Sequence, residues 1–158
     1  MDQQIDFILR ILVACLLGGV IGLEREYRDK AVGFRTHFLV SLGSALFMII
    51  SAYGFEGVVG DDFQSPIRLD VSRIAAQVVT GIGFIGAGTI IFQKNTVRGL
   101  TTAAGVWVTA AIGMACGGGM YLLATVSTVM VLVGLEAFNY FLHRFDQRRD
   151  RGVRTDSQ

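Results

Sequence analysis

"GIGFIGAGTIIFQKNTVRGLTTAAGVWVTAAIG", Gly81 to Gly113, carries two ionisable side chains, Lys94 and Arg98, and both sit near its middle. Two apolar runs therefore flank one short polar gap. Followed outward, the first run starts near Ile74 and ends near Phe92, and the second extends from Gly99 to Gly117. Each is close to the roughly 20 residues that a helix needs to cross a bilayer core. The rest of the chain repeats this pattern. Further apolar runs cover about Ile5 to Leu23, Phe34 to Tyr53 and Met120 to Leu142.

Composition agrees with a lipid environment. Of 158 residues, 52% are hydrophobic and only 17% are charged, below the roughly one quarter usual for soluble domains. A backbone in lipid must satisfy its own hydrogen bonds, which leaves helices or closed barrels. The runs lack two-residue alternation and are too long for barrel strands. A soluble core of this size could not hide five helices that are apolar all round. The expected fold is all-α: a polytopic membrane protein, a compact bundle of five transmembrane helices over residues 1–142, with a short basic tail at 143–158. The opening "MDQQIDFILR" is acidic where a signal peptide is basic, so the first run reads as a retained helix. Cys15 and Cys116 lie in separate apolar runs and suggest neither a disulfide framework nor a metal cluster.

Charge asymmetry orients the bundle. Eleven of the 14 basic residues fall in the gap after the first span, the gap between the third and fourth, and the tail. The opposite side holds Glu56, Asp61, Asp62 and Asp70, and the one proline, Pro66, in a longer loop. The positive-inside rule then places the N-terminus outside and the C-terminus in the cytoplasm. The arginine-rich tail reads as a partner of anionic lipid headgroups and not of nucleic acid.

Helix association in lipid depends on close packing of small residues. Ala14, Gly18 and Gly22 form a small ridge at fourfold spacing. Gly81, Gly83, Gly86 and Gly88 of "GIGFIGAG" place small residues around much of the third helix, for close packing or ligand approach. This is no dinucleotide loop, because strand, turn and helix context is missing.

Ionisable groups at membrane depth are costly unless paired. Arg10 is near the start of its span, where it can snorkel to the interface. Glu136 lies in the inner half of the fifth span, with Asn139 near it, and can pair with a cytoplasmic base. At the outer mouth of the third span, Asp70 either caps the helix or opens a vestibule, and Arg73, Gln77, Gly81 and Gly88 continue a stripe inward. An inner belt gathers Glu24, Arg25 and Glu26 with Arg35, Thr36 and His37, and with Thr101 and Thr102. Magnesium prefers oxygen ligands, so Asp70 and Glu24 are the candidate metal positions, although the neighbouring arginines weigh against a dedicated site. No hydrolase elbow, P-loop lysine or spaced acidic pair is present, and the chain does not read as an enzyme.

Three ordered stretches carry a family resemblance: "GGVIGLEREYRDKAVGFRTHFLVSLGSALF", "DVSRIAAQVVTGIGFIGAGTII" and "VRGLTTAAGVWVTAAIGMACGGGMY". The chain resembles the MgtC/SapB family of bacterial inner-membrane proteins over nearly its whole length. The resemblance implies a five-span domain at the cell inner membrane and a link to growth at low magnesium. Many members carry an added C-terminal cytoplasmic domain, and the expectation for this sequence is the membrane domain without it. The resemblance implies one function first and a second as its alternative. One is a protein of magnesium homeostasis that binds or transports a divalent cation. The other is a non-transporting regulator that modulates another membrane complex such as ATP synthase. The expected partners are the bilayer, a membrane protein and a second copy in a homodimer.

Overall fold

The computed structural model describes residues 2–55, 70, 72–93 and 95–137. Its order is α1 (Asp2–Tyr27), α2 (Phe34–Tyr53), α3 (Ser72–Ala87), β1 (Ile91–Gln93), β2 (Thr96–Arg98), α4 (Leu100–Gly117) and α5 (Tyr121–Ala137). Five helices form an all-α bundle with one small hairpin. Helices α1, α2 and α4 are each long and apolar enough to cross a membrane, and α3 and α5 are shorter apolar helices. The loop containing Pro66, Lys94, Asn139 and the basic tail lie outside the described residues.

The helices are inside-out by the standard of a water-soluble core. Helix α1 buries Ala14, Cys15, Gly18, Gly19, Ile21 and Gly22. It exposes Ile5, Ile8, Leu9, Leu12, Leu16 and Leu23 on its other face. Helix α5 does the same, burying Ala124 and Thr128 while Leu122, Leu123, Val126 and Met130 stand exposed. Small residues inside and large apolar residues outside is the arrangement that lipid permits and water penalises.

Helix α2 is the centre of the packing, touching α1, α3 and α4. The main core joins Ala14 and Ile21 of α1, Ala45 of α2, Ile112, Ala115 and Cys116 of α4, and Ala124 of α5. Close approach depends on specific glycines. A Cβ at Gly18 would overlap Ser41, and one at Gly113 would overlap the Ser41 carbonyl. At that crossing the Ser41 hydroxyl donates to the Ala14 carbonyl at 2.7 Å, so a buried polar group is satisfied between helices.

The third span differs from its expected extent. Its helix ends at Ala87, and Gly88 and Thr89 form a turn. Ile91–Gln93 then pairs antiparallel with Thr96–Arg98. The reason is local: "TIIF" is β-branched and aromatic, and Asn95 adopts the left-handed conformation (φ 67°) that tight hairpin turns require. Gly99, at φ 89°, then redirects the chain into α4, where a side chain would strike the Thr89 carbonyl. Gly88 therefore lies off the third-helix stripe.

Candidate functional site: a polar junction where three helices meet

The end of α1 closes with a Schellman-type turn. The Lys30 amide donates to the Arg25 carbonyl at 3.0 Å, the Asp29 amide to the Glu26 carbonyl at 3.0 Å, and Asp29 takes φ 53°. This turn folds the chain straight back into α2. The Glu26 carboxylate then accepts the Phe34 amide at 2.8 Å, capping a helix whose own N-cap, Gly33, has no side chain to do so. A Cβ at Gly22 would stand 2.7 Å from the Phe34 Cα, so only glycine lets α1 and α2 meet here.

Glu24 and Arg25 sit at this crossing. The Arg25 guanidinium donates to both Glu24 oxygens, at 2.5 and 2.6 Å. Arg28 binds the same carboxylate at 2.9 Å. Arg25 is only 2% exposed, so its charge depends on Glu24 for compensation. Arg28 also reaches α5 and pairs with Glu136. Glu24, Arg25, Arg28 and Glu136 thus form a chain of alternating charge from the junction to the bundle's flank.

His37, one turn into α2, is fully buried. Its Nδ1 lies 2.9 Å from the Gly33 carbonyl, which fixes the tautomer with the proton on Nδ1. Nε2 is buried and has no hydrogen-bond partner among the described residues. It faces α4 at Gly105, where an added Cβ would sit 3.7 Å away. Buried Thr102 lies three residues earlier in α4. Thr101 and Arg35 are exposed and stand apart from this cluster. The sequence grouped Glu24, Arg25, Glu26 and His37 correctly as neighbours, but nothing in its spacing pointed to Gly105.

The outer stripe takes another form. The Asp70 carboxylate accepts the Ser72 amide at 3.0 Å and the Ser72 hydroxyl at 2.5 Å. These bonds hold the carboxyl below the usual aspartate range. Asp70 is a helix cap, and Arg73 is exposed on the first turn of α3. Gln77 and Gly81 line a groove of about 580 Å³ between α2 and α3, together with Thr36, Gly43, Ser44 and several apolar side chains. Nothing lies within 4 Å of a Cβ built on Gly81 or Gly83, whereas one on Gly86 would touch Ala103 of α4 at 3.4 Å. Gly18 and Gly22 are the tightly packed members of the glycine set.

Arg10 corrects the expectation of a snorkelling side chain. Its guanidinium donates to the Gly117 carbonyl at 2.9 Å and to the Tyr53 hydroxyl at 3.2 Å, and pairs with Asp6 at 2.6 Å. It ties α1 to the C-terminal ends of α2 and α4, where carbonyls lack helical partners. Among the described residues there is no group of three or more side chains suited to holding a metal.

A family profile described as the MgtC family matches residues 11–145. The chain is 53% identical over 139 residues to an Escherichia coli (strain K12) protein named "Putative magnesium transporter YhiD", covering 88% of this chain and 63% of that protein. It is 46% identical over 119 residues to "Protein MgtC" of Brucella abortus (strain 2308), covering 75% of this chain and 45% of that one. An uncharacterised Haemophilus influenzae protein is 42% identical over 144 residues, with 89% and 60% covered. The chain thus spans about half to three fifths of the length of these relatives. No solved structure matches.

Proposed function

Because the chain belongs to the MgtC family, we propose that it is a multi-pass protein of the bacterial inner membrane, serving adaptation to low magnesium by regulating another membrane complex. The observation that carries this reading is the state of the two candidate ligands. Both Glu24 oxygens are taken by Arg25, with Arg28 sharing the carboxylate, and one Asp70 oxygen, Oδ1, accepts both the amide and the hydroxyl of Ser72. A hard cation would have to displace charged donors from Glu24, at a cost of several kcal/mol for the buried guanidinium left behind. The exposed apolar faces and the open glycines of α3 supply surface for a membrane partner or for a second copy in a homodimer.

Transport is the second reading, favoured by the printed name of the Escherichia coli relative and by the polar groups of Thr36, Ser44 and Gln77 in the α2–α3 groove. Magnesium uptake by proteoliposomes separates the two. Correctly inserted protein is expected to give no saturable uptake above empty vesicles. Saturable uptake would remove the regulatory reading, and its loss in a folded Gln77→Leu variant would place the groove on the path.

A further inference from the structure

Histidine 37 holds the one buried side-chain nitrogen of the inner junction that lacks a partner among the described residues. Its surroundings are unusual in what they offer. The Nδ1 proton is committed to the Gly33 carbonyl, so Nε2 presents a lone pair. That lone pair faces the Gly105 backbone position of α4. Helix α4, from Leu100 to Gly117, contains no Asp, Glu, Lys, Arg or His. Its only titratable side chain, Cys116, lies three turns further along. From α1 the facing charges are Arg25 and Glu24. From α2 itself the nearest charge is Arg35, which is exposed. The only ionisable side chain in α3 is Arg73, at its opposite end.

We propose that His37 Nε2 is a proton-binding site whose occupation loosens α4 from the α1–α2 pair. The ligand is a proton from water, and the bond formed is Nε2–H. The neutral imidazole fits the closed junction, since its one donor is satisfied. The protonated ring carries a second donor, now pointed at a glycine that offers it no side-chain acceptor. It also adds a positive charge beside Arg25, whose carboxylate partner is already shared with Arg28. Both effects penalise the closed arrangement, and both are relieved when α4 moves and water reaches the ring. Binding that favours one of two arrangements shifts the population toward it. Acid therefore favours the opened junction. The same proton site would operate in a regulator and in a transporter.

The chain carries its own reporter. Trp107 is the single tryptophan, two residues beyond Gly105 on α4 and 48% exposed. The experiment is a titration of Trp107 emission in the full chain, held in lipid nanodiscs, between about pH 5 and 8. Wild type is expected to show a reversible sigmoidal change. The His37→Asn variant keeps an amide donor for the Gly33 carbonyl but cannot titrate, and is expected to be flat. The same transition in that variant, or none in wild type, overturns the proposal. Should His37→Asn fail to insert, Gly105→Ser carries the test. Its hydroxyl, on a Cβ placed 3.7 Å from Nε2, offers the protonated ring the side-chain acceptor that glycine lacks. The amplitude of the acid-induced Trp107 change should fall roughly twofold or more, because the closed arrangement is no longer penalised as strongly. An amplitude equal to that of wild type overturns the proposal.

Discussion

Glu24 lies one residue from Arg25 and one helical turn from Arg28, and that local spacing determines what it can do. It compensates a guanidinium that is almost fully buried, so its removal is expected to act through Arg25. Glu24→Gln should destabilise the domain by about 3 kcal/mol, the cost of leaving one member of a buried pair without its counter-charge. Thermal unfolding of purified protein in lipid checks this; a loss below about 1 kcal/mol, as for a surface pair, would refute it. Asp70 behaves differently because it is exposed. Its carboxyl is held below the usual aspartate range by Ser72. The capping contribution is therefore fully present above the unfolded value near 3.9 and is lost as pH falls through the folded one. Amide exchange at the first turn of α3 should accelerate below about pH 4, relative to its intrinsic rate. Asp70→Ala should show the faster relative exchange already at neutral pH. Sequence reading named both residues, since their contacts depend on neighbours in the chain, but left Asp70 between a cap and a vestibule. Arg10 was misread because its partners, Tyr53 and Gly117, are 43 and 107 residues away.

At the scale of the helix, length and apolarity were enough to place most boundaries. Helix α2 spans Phe34–Tyr53 as expected, and α4 begins one residue later than its apolar run. Apolarity alone could not distinguish the end of α3 from a hairpin, because "TIIF" satisfies either. Glycine is similar: a ridge can be read from spacing, but not which glycine meets a neighbour. The structure separates them, and this separation is testable. Gly18→Ala pushes a methyl into Ser41 at the α1–α2 crossing and should cost about 1–3 kcal/mol as overpacking. Gly81→Ala enters open space and should be neutral or stabilising by up to about 1 kcal/mol through helix propensity. Paired unfolding measurements on the two variants decide this. Equal effects would mean that the glycines act through backbone flexibility instead of contact.

Across the whole molecule, the order of small and large residues says which solvent surrounds it. Leu12 sits midway along α1, 59% exposed, with buried Ala14 and Cys15 on the other face. In water, Leu12→Asp would change stability by no more than about 0.5 kcal/mol, as surface substitutions do. At the centre of a bilayer the same carboxylate costs about 2.5–3.5 kcal/mol. A translocon insertion assay on α1 should therefore show a shift toward the non-inserted form of roughly 70- to 400-fold in equilibrium constant. The paired control is Ala14→Asp, which places the same charge inside the buried apolar cluster that includes Ile21, Ala45, Ile112 and Cys116. It should disturb folding as well as insertion, whereas Leu12→Asp protein that does insert should keep the α1–α2 crossing and its Ser41 hydrogen bond. Unchanged insertion of Leu12→Asp would put the exposed leucine face against protein instead of lipid. The large apolar surface of α1 would then belong to an assembly interface, and the regulatory reading would gain its docking face on α1 in place of the open glycines of α3.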